Sequence, residues 1–203
     1  MQRDSSGIPV SSEIHQPGNR RFRFGKFMKK LYRYVLFWVA VWLVFNCLFM
    51  VVFIPSGSMK NTLNEFDCVL AVRYGKEEIE RYDIVVFHSI DGPDRYMIKR
   101  VIGLGGETIE VKNGSVYADG VKLRDDFILE KMNSDGDGTY EVPEGCCFVM
   151  GDNRNESYDS RYWNNKYVPL EKIEAKAELI FFPLSDMGFL RTENMMERGM
   201  DNE

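Results

Sequence analysis

The chain has 203 residues, 44% of them hydrophobic, with a formal net charge of −5, enough for one medium domain plus accessory segments. The charge is uneven: residues 1–54 hold eight Lys/Arg against two Asp/Glu, and residues 55–203 hold eighteen against twenty-nine. A basic head on an acidic body argues against nucleic-acid binding, which places its basic patch on the folded domain. Residues 1–19 are rich in Ser, Gly, Pro, Gln and Asn without apolar periodicity, and read as disordered. Residues 20–33 interleave Arg20, Arg21, Arg23, Lys26, Lys29, Lys30 and Arg33 with Phe22, Phe24, Phe27 and Tyr32. Basic plus aromatic composition also suits RNA binding. The adjoining apolar run favours a juxtamembrane segment, with cations on the cytoplasmic side and aromatic rings in the interface.

Residues 34–54 carry no charge, and Asn46 is the one strongly polar residue. As a helix rising about 1.5 Å per residue, this run spans roughly 31 Å, the thickness of a hydrocarbon core. A cleaved signal peptide would have a shorter apolar region and small residues at the cut. Here the run ends in Val51-Val52-Phe53-Ile54-Pro55. The expectation is an uncleaved transmembrane helix over 34–54, with a cytoplasmic N-terminus and residues 55–203 outside.

The exported part reads as mainly β. Short runs rich in Val, Ile, Leu and Phe predict strands at residues 67–73, 83–88 and 96–102. Residues 107–112 and 115–118 flank Asn113-Gly114, a pair that readily takes the positive φ of a two-residue hairpin turn. A turn-rich loop is predicted at 131–139. Its Asp135-Gly136-Asp137-Gly138 lacks the ligand spacing and distal Glu of a calcium loop, so it reads as a solvated turn. Later strands are predicted at 146–150 and 175–182, then a polar tail from about 190 to 203. The four cysteines, Cys47, Cys68, Cys146 and Cys147, lack CxxC spacing. They imply neither a zinc site nor a disulfide framework and read as free thiols.

Three stretches can carry chemistry. Residues 54–63 place Ser56, Gly57 and Ser58 where the apolar run stops. A serine nucleophile needs a base. Of the two histidines, His15 lies in the N-terminal head and His88 ends a predicted strand without triad context. No Gly-x-Ser-x-Gly elbow and no HExxH is present. The second stretch supplies a lysine. Strand alternation over Tyr96-Met97-Ile98-Lys99-Arg100-Val101-Ile102 puts Met97, Lys99 and Val101 on one face. Apolar neighbours would desolvate the ammonium and lower its pKa, making Lys99 a candidate base; alternatively it sits at a sheet edge and snorkels to water. The third stretch, residues 151–161, is dense in polar groups, among them Asp152, Asp159 and Arg161. It is either a solvated turn or a loop fixed by Asp159 and Arg161 pairing with each other or with neighbours.

Together these stretches resemble the bacterial type I signal peptidase family. The match runs through Pro55-Ser56-Gly57-Ser58-Met59, Tyr82-Asp83-Ile84-Val85-Val86-Phe87, Ile98-Lys99-Arg100-Val101-Ile102-Gly103-Leu104, Gly151-Asp152-Asn153-Arg154 and Ser157-Tyr158-Asp159-Ser160-Arg161, in the family's order across roughly residues 30–182. The resemblance implies a signal-peptidase-like β-rich catalytic domain, 55–189, with an apolar surface resting on the membrane. It implies Ser58 as nucleophile and Lys99 as general base, with Ser56 joining the Ser58 backbone N–H in an oxyanion hole. Ser157 would orient the lysine, Asp159 and Arg161 would form a structural pair, and Asp152 would support the site. No metal or organic cofactor is implied. The expected partners are signal peptides of secreted preproteins, membrane lipid and, by functional proximity, the general secretion machinery. A dedicated processing peptidase with the same dyad and a non-catalytic domain that binds exported chains are the alternative readings. Asn61 stands where many members have proline, which predicts a looser turn after the nucleophile. Tyr82 replaces a frequent glycine, Gly105 stands where Leu-Pro-Gly is common, and Asn155-Glu156 replaces a frequent Asp-Asn pair.

Overall fold

The computed structural model describes residues 20–73 and 79–190, with the backbone alone for 20–24. The segment expected to be disordered, 1–19, and the tail 191–203 lie outside these described residues. The chain divides into two units, with the boundary between Val44 and Phe45.

The first unit is dominated by helix α1, Arg20–Leu48. Its stretch Gly25–Leu48 contains 24 residues and is long and apolar enough to cross a membrane. Large side chains such as Trp38 and Trp42 are exposed, at 64% and 62%. An exposed helix that is apolar all round suits lipid better than water, which makes α1 a candidate membrane anchor. The expected helix over 34–54 is corrected at its end, and helical structure continues upstream of 34. The helix starts in the basic segment, whose lysines and arginines are good helix formers. It stops at Leu48 because residues 49–53 form strand β1, Phe49–Phe53, on the edge of a sheet. That five-residue sequence, Phe-Met-Val-Val-Phe, is as apolar as a membrane span, but its aromatic and β-branched residues suit a strand.

The second unit is mainly β. One sheet is built from β1, β2 (Cys68–Val72), β3 (Ile84–His88), β4 (Tyr96–Gly103), β9 (Cys146–Met150), β10 (Val168–Pro169) and β11 (Ile173–Phe182). Its order is β1-β2-β11-β3-β4-β9-β10, with β12 (Gly188–Phe189) added on β11. A smaller sheet has the order β7-β6-β5-β8, from β5 (Thr108–Lys112), β6 (Ser115–Ala118), β7 (Val121–Lys122) and β8 (Gly138–Glu141). All the pairings are antiparallel. The β5–β6 turn holds Asn113 at φ 52° and Gly114 at φ 76°, as a two-residue hairpin turn requires. The loop expected over 131–139 is shorter, because residues 138–139 already belong to β8 and Tyr140 beside them is buried.

Strands β3 and β4 are covered on both faces. Ile84, Val86 and Ile98 join a core with Ile54, Met59, Leu63 and Val69. Val85, Phe87 and Val101 join another with Val149, Trp163 and Ile173. Two-sided burial explains why residues 84–87 are continuously apolar rather than alternating. A third core, with Ile102, Ile109, Phe127, Tyr140 and Phe148, includes residues from both sheets. Leu190 is 8% exposed and its N–H donates to Glu178 O at 2.9 Å, so the folded unit extends to at least 190 rather than ending at 189. The four cysteines are free, and burial pushes the Cys147 thiol up to about 12.

Ile109 is fully buried at the centre of the third core. Ile109→Ala should lower the unfolding free energy of the full chain in uncharged detergent by about 2–5 kcal/mol, measured by urea titration with an unchanged slope.

Candidate active site

Ser58 sits on a 3-10 turn, Gly57–Met59, between strand β1 and strand β2. The turn is fixed from below by Met59 and Leu63, both 0% exposed in the first core. The loop after β9 fixes it from the side. The Asn153 backbone N–H donates to Ser58 O at 3.2 Å, and Asn153 Nδ2 donates to Gly57 O at 3.0 Å. Beyond the turn, Asn61 takes φ 85° and its Nδ2 donates to Phe127 O at 3.1 Å. Proline is locked near −65° and lacks a side-chain donor, so this turn is closed by a tether where a looser one was expected.

Lys99 lies on β4, which pairs with β3 on one side and β9 on the other. It is therefore interior to the sheet, with Val85 directly opposite, and only 4% exposed. Burial on a strand flanked by β3 and β9 excludes the alternative in which the side chain snorkels to water from a sheet edge. Lys99 Nζ lies 2.6 Å from Ser58 Oγ and donates to Ile98 O at 3.1 Å. Desolvation pulls the ammonium down from the ordinary 10.5 to about 8; the charges of Asp159 and Asp152 oppose the shift and that of Arg95 assists it. A lysine in this state is neutral in about a tenth of molecules at pH 7 and more above it, and the neutral amine can accept a proton from the adjacent hydroxyl.

The nearby carboxylates are each engaged by an arginine. Asp152 receives Arg100 Nε at 2.8 Å and Nη2 at 2.6 Å, and both side chains are 0% exposed. Thr62 Oγ1 also donates to Asp152, at 2.5 Å, and Arg100 Nη1 reaches Tyr82 O at 2.8 Å. The Arg100 guanidinium stacks over Phe127 at 4.3 Å. Tyr82, where glycine is frequent, has φ 77°, the left-handed region that favours glycine. Its ring is held edge-on against Phe127 at 5.6 Å. Asp159 receives Arg161 Nε at 2.8 Å and Nη2 at 2.9 Å, and the Gly151 N–H at 3.0 Å. Arg161 Nη2 also ties Arg154 O at 2.7 Å, which folds residues 151–161 back on themselves.

Ser157 is buried, and its Oγ makes no hydrogen bond among the described residues, to Lys99 included. A Cβ on Gly151 would fall 2.3 Å from Ser157 Oγ and 2.4 Å from Ser58 O, so only glycine lets these two approach. Ser56 is exposed and lines the cleft that opens over Ser58. This cleft has a volume of about 500 Å³, with Val52, Ile98, Lys99, Arg95, Glu156 and Tyr158 among its walls. His88 lines a separate hollow, where its Nδ1 lies 2.8 Å from Asp94 Oδ1. Among the described residues no group of His, Cys, Asp or Glu is placed to hold a metal.

Asn153, Thr62 and Arg100 carry no individual signal in the sequence. Asn153 and Arg100 lie within the stretches 151–154 and 98–104, but nothing in their local spacing distinguishes a clamp from a solvated polar residue. The Arg100–Asp152 pair gives a direct test. Asp152→Asn keeps the shape but leaves a buried guanidinium without its counter-charge, so unfolding free energy should fall by about 3–5 kcal/mol, read from chemical denaturation of the full chain.

Comparison with known proteins identifies the family of the chain. The family model described as signal peptidase, peptidase S26, matches residues 27–182. A relative from Synechocystis sp. named "Probable signal peptidase I-1" is 42% identical over 147 residues, which cover 68% of this chain and 74% of the relative. A signal peptidase I from Bacillus caldolyticus is 33% identical over 155 residues, covering 67% and 81%. The crystal structure of a signal peptidase I from Enterococcus faecalis aligns with 48% of this chain and 95% of its own, at 33% identity and a TM-score of 0.43. With a family match across most of its length, the chain belongs to the signal peptidase family, peptidase S26, as a hydrolase of the signal peptidase I class.

Proposed function

We propose that the protein is a membrane-anchored serine endopeptidase that removes N-terminal signal peptides from exported preproteins with a Ser-Lys dyad. The observation that carries this reading is the 2.6 Å separation of Ser58 Oγ from Lys99 Nζ, an amine buried inside the sheet. Ser58 Oγ attacks the scissile carbonyl while Lys99 Nζ takes its proton. The oxyanion is received by the Ser58 backbone N–H and the Ser56 hydroxyl, donors of a kind worth about 3 kcal/mol each. Lys99 returns the proton to the leaving amine, and water hydrolyses the acyl-enzyme with Lys99 again as base. Ser157 lies across Gly151 from the Ser58 carbonyl, and the Asp152–Arg100 and Asp159–Arg161 pairs hold the surrounding loops.

Helix α1 serves as the anchor. The cations of residues 20–33 keep the N-terminus cytoplasmic, so the catalytic unit works at the outer face of the cytoplasmic membrane. A nucleophile ten residues beyond the end of the anchor helix meets signal peptides that are themselves embedded in lipid, close to where the secretion machinery delivers them. Small residues before the cut are the expected recognition elements.

Purified full-length protein in uncharged detergent should cleave a preprotein with an Ala-x-Ala site. Ser58→Ala and Lys99→Ala should each reduce kcat/KM by on the order of a thousandfold or more; near-normal cleavage by either variant sinks the dyad. The pH profile supplies a second test. Because the free amine is the active form, kcat/KM should rise about tenfold per pH unit below a midpoint near 8 and level off above it. A midpoint near the ordinary lysine value of 10.5 would show Lys99 to be solvated rather than poised as the base.

A further inference from the structure

Among the described residues, two charged side chains that line the cleft form no ion pair. Glu65 on one wall is paired with Lys60, Nζ to Oε1 at 3.2 Å. Among the described residues, Glu156 and Arg95 pair with no oppositely charged side chain, and both are exposed and line the cleft. Of the two, Glu156 is the one held in place by the nucleophile's own support. Asn153 Nδ2 donates to Glu156 Oε2 at 3.1 Å and, with its other hydrogen, to Gly57 O at 3.0 Å. Asn153 itself is 1% exposed. A side-chain carboxylate that would otherwise sample several rotamers is thereby tied to a rigid amide one hydrogen bond from the turn that carries Ser58.

We propose that Glu156 is a specificity-determining residue whose fixed carboxylate makes the cleft discriminate against acidic side chains flanking the scissile bond and in favour of basic ones. The inference rests on the peptidase reading above. The position before the cut is expected to take a small side chain, so charge reaches this wall from the second residue before the cut or the first one after it. A charge held several ångströms from a substrate charge, in a cleft partly open to water, shifts selectivity by about fivefold and is attenuated by salt. Arg95 acts with the opposite sign and cannot generate a preference for basic substrates.

The test uses the full chain in uncharged detergent and matched preproteins carrying Lys, Gln or Glu at the second residue before or the first residue after an Ala-x-Ala cut. The readout is the ratio of kcat/KM for the Lys and Glu substrates within each enzyme, so a change in overall activity does not affect it. The wild type should favour Lys over Glu by about fivefold at one or both positions at low salt, and less at high salt. In Glu156→Gln, which retains an acceptor for Asn153, the ratio should fall toward one; in Glu156→Lys it should invert. A wild-type ratio near one at both positions overturns the inference, as does a preference that survives in Glu156→Gln. Failure to cleave the Gln substrate at all would instead count against the peptidase reading.

Discussion

A buried amine that is not locked into a salt bridge is the constraint around which the second unit is arranged. Lys99 is 4% exposed, yet two carboxylates, Asp152 and Asp159, are near enough to influence its titration. Either one in direct contact would hold the lysine as an ammonium ion, unable to accept a proton. The fold prevents this by giving each acid a forked arginine partner, Arg100 for Asp152 and Arg161 for Asp159. Planar guanidinium groups suit this task because each occupies both oxygens of its carboxylate. These buried pairs are therefore best understood as insulation and bracing rather than as a net source of stability, since desolvation offsets much of their attraction.

The same loop couples insulation to placement of the nucleophile. Residues 151–161 supply Asp152 and Asp159, and also Asn153, whose backbone and side chain hold the carbonyls of Ser58 and Gly57. Gly151 permits the close approach, because any Cβ there would strike both Ser58 O and Ser157 Oγ. One folded loop thus fixes the turn bearing the hydroxyl, while strand β4 fixes the amine. The hydroxyl–amine distance is set by two elements that are themselves held together by sheet pairing and by the Arg100–Asp152 pair between β4 and the loop.

Much of this was legible along the chain. Seven strands were readable from short β-branched and aromatic runs bounded by turn residues, and the Asn113-Gly114 hairpin from the positive φ its turn demands. Other elements were hidden. β1 was absorbed into the apolar run before it, because hydrophobicity marks burial and does not distinguish lipid from a sheet partner. The first two residues of β8 read as loop, because the strand is short and opens on glycine. In the site, Ser58 and Lys99 stood out by residue type and neighbourhood. Asn153 and Thr62 did not, since their importance lies in which carbonyl or carboxylate each one meets.

By itself the sequence determined the apolar N-terminal helix, the β-rich character of the chain beyond that helix, and a serine and a lysine as the candidate reactive groups. These depend on local composition and on periods of a few residues. Only the tertiary structure decided that Lys99 is interior rather than at a sheet edge, that Asp152 pairs with Arg100, and that Asn61 tethers a turn where proline would have shaped it. It also decided that the helix ends before residue 54. Each of these depends on a partner tens of residues away, brought near by strand order and by the limited number of ways a buried polar group can be satisfied.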